Sequence, residues 1–390
     1  MNKAKLLAGL KKYTMIIALV VITIFFAWRT EGKILLPMNI TNLIAQNAYV
    51  YVLATGMLLC ILTGGNIDLS VGSVVCFVGA IGASLMEKGM NVVLAVLVML
   101  VAGAIIGAFQ GYWIAYQKVP PFIATLAGML AFRGLANVVL DGRTVSITNK
   151  AFINAFGGGA DCYIPDFFGG TTLNLTCMAA GILACVIYVG LQVKNHMDRV
   201  KKGYEAESLG ATAVKAVLIC IVIVAFSYKL AMNKGIPTAL LWIILVVLVY
   251  GYVTTKTRIG RYLYAVGGNE KATKLSGINT ENVYFIAYVN MGLLAGLAGI
   301  LTIARMTSSQ PTYGQSYEMD AIGSCFIGGA SAYGGVGTVS GVVVGATLMG
   351  VINLGMSIMG VDANYQKVVK GLVLLFAVIF DVVSKKENSK

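Results

Sequence analysis

The chain has 390 residues, of which 58% are hydrophobic and only 12% charged. A soluble domain carries about 25% charged residues, so this composition excludes a soluble enzyme or a free binding domain and indicates an all-α polytopic membrane protein. The formal net charge of +13 sits in a few short basic loops, as orientation signals do, which argues against a nucleic-acid partner.

In chain order, apolar windows long enough to span a bilayer lie near 13–28, 43–62, 90–117, 122–140, 173–193, 213–232, 238–255, 280–304, 338–358 and 365–383. Two shorter Gly-rich windows lie near 70–86 and 318–335. The pattern predicts about ten firm transmembrane helices and up to about twelve crossing elements. Lys3, Lys5, Lys11 and Lys12 precede the first window, and no small-residue cleavage site follows it. It reads as a first membrane helix and not as a signal peptide.

Basic residues set the orientation. The N-terminal arm, the segments 194–215 and 254–278, and the tail with Lys385, Lys386 and Lys390 are rich in Lys and Arg. The long loop 141–172 has Arg143 and Lys150 against Asp141, Asp161 and Asp166. The positive-inside rule puts the basic segments in the cytoplasm and the long loop outside. Both termini are then cytoplasmic, which an even number of crossings satisfies.

Chemistry-bearing residues interrupt the apolar windows in a few places. Gly64-Gly65-Asn66-Ile67-Asp68-Leu69-Ser70-Val71-Gly72 sets a carboxylate, an amide and three glycines between two membrane-grade segments. Either this is a re-entrant corner lining a water-filled path, or it is a polar turn at the membrane surface with Asp68 as a helix cap. Arg133 falls in the middle of the window 122–140, where a cation costs about 3 kcal/mol. It should face the bundle interior, or else hold helix carbonyls or headgroups. Gln46, Asn47, Asn66, Asn290 and Asn353 can serve a neutral hydroxylated solute or tie helices together. A faint repeat places a Gly-Gly pair before a Gly-spaced apolar helix twice, at Gly64-Gly65 and at Gly334-Gly335.

Other chemistries lack their residues. No phosphate-binding loop of the G-x-x-x-x-G-K-[ST] type is present. The single histidine, His196, lies in a basic loop, which removes His-dependent nucleophilic and metal chemistry from the membrane. The seven cysteines form no disulfide framework, although Cys162 and Cys177 leave one bridge open. No enzymatic activity, cofactor or metal is indicated. Between 254 and 278, Glu270-Lys271-Ala272-Thr273-Lys274-Leu275 suits a short amphipathic helix capped by Asn269 and ended by Gly277. That helix is either a docking element or an ordinary basic loop.

Four stretches in order resemble the permease subunits of bacterial monosaccharide ABC importers. They are GGNIDLSVGS (64–73), TLAGMLAFRGLANVVLDG (125–142), GRYLYAVGGNEKATKLSGI (260–278) and IGGASAYGGVGTVSGVVVGATLMGVI (327–352). The longer region 141–237, with its Gly157-Gly158-Gly159 and Gly169-Gly170 loop, is more similar to the xylose or multiple-monosaccharide type than to the ribose type. The resemblance implies one transmembrane permease domain over residues 1–390. Its core halves lie at about 43–140 and 280–383, with an inserted loop and two helices at about 141–237 and a cytoplasmic coupling loop at about 254–278. It also implies alternating access in a bacterial inner membrane, powered by a separate ATP-binding cassette subunit and supplied by an extracytoplasmic sugar-binding protein. A second copy of the chain would complete the pathway. Gly64, Gly65, Asn66, Asp68, Ser70, Gly72 and Arg133 then fall beside the pathway. Gly260, Arg261, Asn269, Glu270, Ala272 and Gly277 fall in the ATPase-coupling loop, and YEAESLGA (204–211) is a second possible contact. The competing readings are an ion-coupled secondary carrier, which would show more buried carboxylates, and a branched-chain amino acid permease, whose zwitterionic cargo would favour exposed helix ends.

Overall fold

A computed structural model describes residues 3–159, 161–203 and 209–388. Helix α1 (Lys3–Arg29) is followed by α2 (Pro37–Gln46), α3 (Ala48–Leu62), α4 (Val71–Glu87), α5 (Val92–Ala115) and α6 (Pro121–Leu140). Strand β1 (Val145–Ser146) and the short α7 (Lys150–Phe156) lead to α8 (Leu175–Lys201), α9 (Leu209–Ala231) and α10 (Thr238–Lys256). Two short helices, α11 (Arg258–Gly268) and α12 (Glu270–Leu275), precede α13 (Thr280–Met306). Strand β2 (Ser308–Ser309), the half-length α14 (Tyr317–Ile327), α15 (Val339–Ile358) and α16 (Ala363–Asn388) complete the described chain. β1 and β2 pair antiparallel, Val145 opposite Ser309.

The fold is all-α and polytopic. Among the described residues, seven helices (α5, α6, α8, α9, α10, α13 and α15) are long and apolar enough to cross a membrane, or eight if α2 and α3 are one broken span. The apolar windows suggested about ten. The difference lies in short or charged elements. The described apolar stretch Thr14–Arg29 of α1, and α4, are shorter apolar helices. Helix α16 carries Lys367, Lys370 and Asp381, and α14 has only 11 residues. Residues 204–208 of the YEAESLGA run lie outside the described residues.

Polar side chains mark where helices begin. Asn91, Asn149, Asn174, Thr257, Asn269, Asn279 and Thr338 each accept a hydrogen bond from a backbone N–H two or three residues on. Each cap satisfies one N–H that the helix itself leaves unpaired.

The chain divides into two compact units. The larger comprises Met1–Ile34, Leu43–Cys162 and Ala239–Lys390, the smaller Leu35–Asn42 and Tyr163–Thr238. At the centre of the larger unit stands α3, apolar on all sides and buried along its length from Val50 to Leu62. Helix α13 packs against α3, α4 and α5. Its seam with α5 is made of glycine. A Cβ on Gly103 would lie 2.4 Å from the Gly292 carbonyl oxygen, and one on Gly107 2.3 Å from that of Tyr288. In return, a Cβ on Gly292 would meet the Gly103 carbonyl at 2.2 Å. Gly103, Gly107 and Gly111 recur every fourth residue, so one face of α5 is bare backbone and the helices approach to main-chain contact.

In the smaller unit α8 packs on α9, and most of their side chains are exposed. The loop before α8 is organised by Asp166. Its carboxylate accepts from the backbone N–H groups of Phe168 (3.1 Å), Gly170 (2.8 Å), Leu175 (3.0 Å) and Thr176 (3.0 Å), and from the Thr176 hydroxyl (2.9 Å). Desolvation pushes this carboxyl upward, but the hydrogen bonds from Gly170, Leu175, Phe168 and Thr176 outweigh it and hold the group well below the usual carboxylate range. All seven cysteines are free thiols, so the Cys162–Cys177 bridge is not formed.

Two outcomes are expected. Gly107→Ala should destabilise the purified protein by about 1–3 kcal/mol, whereas Gly134→Ala, where an added Cβ meets nothing within 4 Å, should leave it unchanged or slightly stabilised. Thermal unfolding in detergent measures both. Because the folded Asp166 is held below its unfolded value of about 3.9, its stabilisation is fully present above that value and is lost as pH falls toward the folded one. The stability advantage of wild type over Asp166→Asn should therefore be flat above about pH 5 and shrink below about pH 4.

Candidate functional site

The corner between α3 and α4 is built by glycine at its bend. Gly65 has φ +77, and a Cβ there would lie 2.0 Å from the Ala332 carbonyl oxygen. The second Gly-Gly pair lies directly against the first. A Cβ on Gly334 would be 2.4 Å from the Gly64 Cα, and the Gly335 N–H donates to the Leu62 carbonyl at 3.0 Å. The two corners that the sequence pairs as a faint repeat are thus in main-chain contact. The end of α11 closes the junction. A Cβ on Gly267 would sit 1.8 Å from the Leu62 carbonyl oxygen and 2.4 Å from the Gly335 nitrogen. The Tyr264 hydroxyl donates to the Gly337 carbonyl at 2.8 Å, and the Ala332 N–H to Asp381 Oδ2 at 3.2 Å.

Asp68 is buried, with 3% exposure. Its Oδ1 accepts the Ser70 N–H at 2.8 Å and the Ser70 hydroxyl at 2.6 Å. Ser70 in turn accepts from Gln110 Nε2 of α5 at 2.9 Å. The carboxylate therefore holds the turn that leads into α4 and, through Ser70, ties it to α5 from inside the protein; it is not the helix cap, since the N-cap position of α4 is Ser70, whose side chain makes no capping bond. Asn66 is half-buried, and its amide reaches back to Thr63 Oγ1 at 3.3 Å. Gly72 and Gly314 face each other, each with room for no Cβ: the added atoms would lie 2.2 and 2.1 Å from the opposing carbonyl oxygens.

Arg133 meets this corner through the segment before α14, whose Gly314 faces Gly72. Thr125 of α6 approaches the Ile67 carbonyl at 3.5 Å, and Arg133 lies eight residues further, about 12 Å along the helix. Its Nη1 donates to the carbonyls of Pro311 (3.1 Å) and Tyr313. The guanidinium thereby holds the segment that leads into α14. Of the other polar residues in the windows, Asn47 donates to the Leu43 carbonyl at 2.8 Å and Asn290 accepts from the Tyr250 hydroxyl at 2.8 Å. The first is a local contact at the break between α2 and α3, and the second ties α10 to α13.

A buried ion pair escaped the sequence reading. Lys370 Nζ of α16 lies 2.9 Å from Oδ1 and 3.0 Å from Oδ2 of Asp320 on α14. The Tyr49 hydroxyl of α3 donates to Asp320 Oδ2 at 2.7 Å, and the Tyr49 ring stacks on Tyr317. In the sequence Lys370 lies within the apolar window 365–383, and Asp320 stands near the start of the short window 318–335. With side-chain exposures of 16% and 1%, neither charge has water enough to stand alone.

The coupling-loop residues play different parts. Gly260 allows α10 to turn into α11, since a Cβ there would meet the Val253 carbonyl oxygen at 2.3 Å. Asn269 caps α12 by accepting from the Ala272 N–H at 2.9 Å, and Gly277, at φ +82, follows its end. The Glu270 carboxylate accepts from Thr280 Oγ1 at 3.3 Å and from the Tyr284 hydroxyl at 3.1 Å, which fastens α12 to α13. Arg261 and Ala272 are exposed.

Removing one member of the buried pair leaves an unpaired charge. Lys370→Met alone should cost about 3–5 kcal/mol. The double variant Asp320→Asn, Lys370→Met should recover most of that loss, which a double-mutant cycle of unfolding in detergent would measure.

Residues 39–378 match the family described as "Branched-chain amino acid transport system / permease component". The chain is 37% identical over 381 residues to the xylose transport system permease protein XylH of Escherichia coli (strain K12), covering 97% of this chain and 94% of that one. The corresponding protein of Haemophilus influenzae is 36% identical over 380 residues, 97% of this chain and 98% of that one. The ribose import permease protein RbsC of E. coli (strain K12) is 36% identical over 344 residues, 88% and 85% of the two chains. No solved structure matches. Matched along most of its length, and aligned almost end to end with the xylose permeases, the chain belongs to this family of membrane permease components.

Proposed function

We propose that the chain is the translocation subunit of an ATP-driven monosaccharide importer of the bacterial inner membrane, with xylose, arabinose, galactose and glucose as candidate cargoes. The junction of Gly267 with Leu62 and Gly335 carries this reading. It joins one short surface helix to both Gly-Gly corners through main-chain atoms. A push on α11 and α12 would reach the end of α3 and the loop before α15 together, with no intervening side chain to absorb it. Such a joint suits a permease moved from outside itself, by a separate ATPase subunit.

In this reading the basic segment 254–278 and both termini are cytoplasmic. An extracytoplasmic binding protein delivers the sugar, and two copies of the chain flank the path. Asp68, Ser70 and Gly72 shape the pathway side of α4, and Arg133 positions the segment 311–313 that borders it. Asn269 and Glu270 fix the docking helix, with Gly260, Arg261, Ala272 and Gly277 forming its surroundings. A proton-coupled carrier is less well supported, because the carboxylate buried deepest in the second half, Asp320, is held by Lys370.

Reconstitution of the chain in lipid with its ATPase and binding protein tests the reading. ATP hydrolysis should rise with one member of a pentose and hexose panel. Absence of a complex, together with gradient-driven uptake by the chain alone, would overturn it. Gly267→Ala should retain the complex but lower the sugar delivered per ATP by several-fold, read as uptake against phosphate release.

A further inference from the structure

Helix α8 is longer than the membrane core it crosses. Its 27 residues, Leu175–Lys201, rise about 40 Å, whereas the hydrocarbon takes about 30 Å, or about 20 residues. A span that begins at Leu175 therefore leaves the hydrocarbon near Lys194. Its apolar face does not stop there. Ile182, Val186, Val189, Val193, Met197 and Val200 recur every third or fourth residue, within about 40° on either side of one line. Each of them is at least 39% exposed. Cys177 and Gly181 lie on the opposite side of the helix and pack on Ser227 of α9. The stripe is thus turned away from α9, toward lipid.

Charge enters α8 only from Lys194 onward. Lys194 and Lys201 stand along one edge of the stripe, about 80–100° round from its centre. Arg199 and, just past the helix, Lys202 complete the exposed basic end. Among the described residues, none of these four cations has an ion-pair partner. Asp198 lies about 140° from the stripe, and Glu205 and Glu207, further on, lie outside the described residues. An apolar stripe that runs unbroken out of the hydrocarbon, edged there by unpaired cations, repeats the order of parts in a lipid: acyl chain, then phosphate.

We propose that the last two turns of α8 form a binding site for acidic phospholipid. Val193, Met197 and Val200 lie along the top of an acyl chain, and Lys194 and Lys201 hold the headgroup phosphate at its edge. Long lysine stems let cations two turns apart serve one headgroup. Continuity with the lipid-facing part of α8 favours the bilayer over a soluble acidic protein as the occupant. Each cation near an acidic membrane surface adds about fivefold in affinity. The site needs only that α8 cross a membrane, whatever the chain transports.

The test reads which lipid sits on the stripe. The full chain carrying Val193→Trp is placed in phosphatidylcholine nanodiscs that contain lipid brominated near the top of its acyl chain. The fluorescence of the unsubstituted chain is subtracted. Bromine quenches on contact, so quenching by brominated phosphatidylglycerol against brominated phosphatidylcholine gives the preference of the site. A preference of about fivefold or more for phosphatidylglycerol is expected at low salt, shrinking at high salt. Lys194→Gln with Lys201→Gln should bring it close to one while the quenching itself persists. All three side chains are exposed, and thermal unfolding checks that the variants fold. Equal quenching by both lipids, or a preference that survives the double lysine variant, would overturn the site. Quenching by neither lipid would overturn it as well, and would put water or a soluble partner on the stripe.

Discussion

Lipid gives no hydrophobic reward for pressing one apolar helix onto another, so association inside a bilayer depends on close approach and on the contacts it permits. In this chain close approach means glycine. The α5–α13 seam, the contact between Gly72 and Gly314, and the junction of two corners with Gly267 all place carbonyl oxygens where a Cβ would otherwise stand. These contacts position α3 at the centre, bring the two Gly-Gly pairs together and seat α11 on both. The capping asparagines and threonines do complementary work where helices begin, so that backbone donors not hidden by packing find partners.

Much of this was legible in the sequence because it rests on residue type. The apolar windows located most helices, and the basic segment 254–278 holds the two short helices α11 and α12. Asn269 and Gly277 bounded α12 as their cap chemistry requires. The number of spans was less legible, since hydropathy cannot tell a helix that crosses from one that stops halfway. Helix α14, with 11 residues, looks like part of a longer Gly-rich window until the turn at Gly328 and Gly329 is seen. The meeting of Gly64-Gly65 with Gly334-Gly335 is a long-range contact, and only similarity between the two stretches hinted at it.

The charges show the same division. Arg133 was conspicuous because a cation in an apolar window demands an explanation, but its partners are carbonyls some 180 residues away in sequence, which no local pattern reveals. Asp68 was conspicuous for its glycine-rich setting. The structure buries it against the Ser70 N–H and hydroxyl, ahead of the helix cap, and links it through Ser70 to Gln110. Asp320 drew no notice because its partner, Lys370, lies 50 residues on in another helix.

That pair also bears on the membrane's electric field. An elementary charge moved across the full potential exchanges about 2.3 kcal/mol per 100 mV. Asp320 and Lys370 are in direct contact, on α14 and α16, so the two charges, moving as a bonded unit, carry zero net charge through the field. Pairing thus makes the displacement of Asp320 itself electrically silent, and leaves Glu318 as the charge of α14 through which voltage can act on that helix.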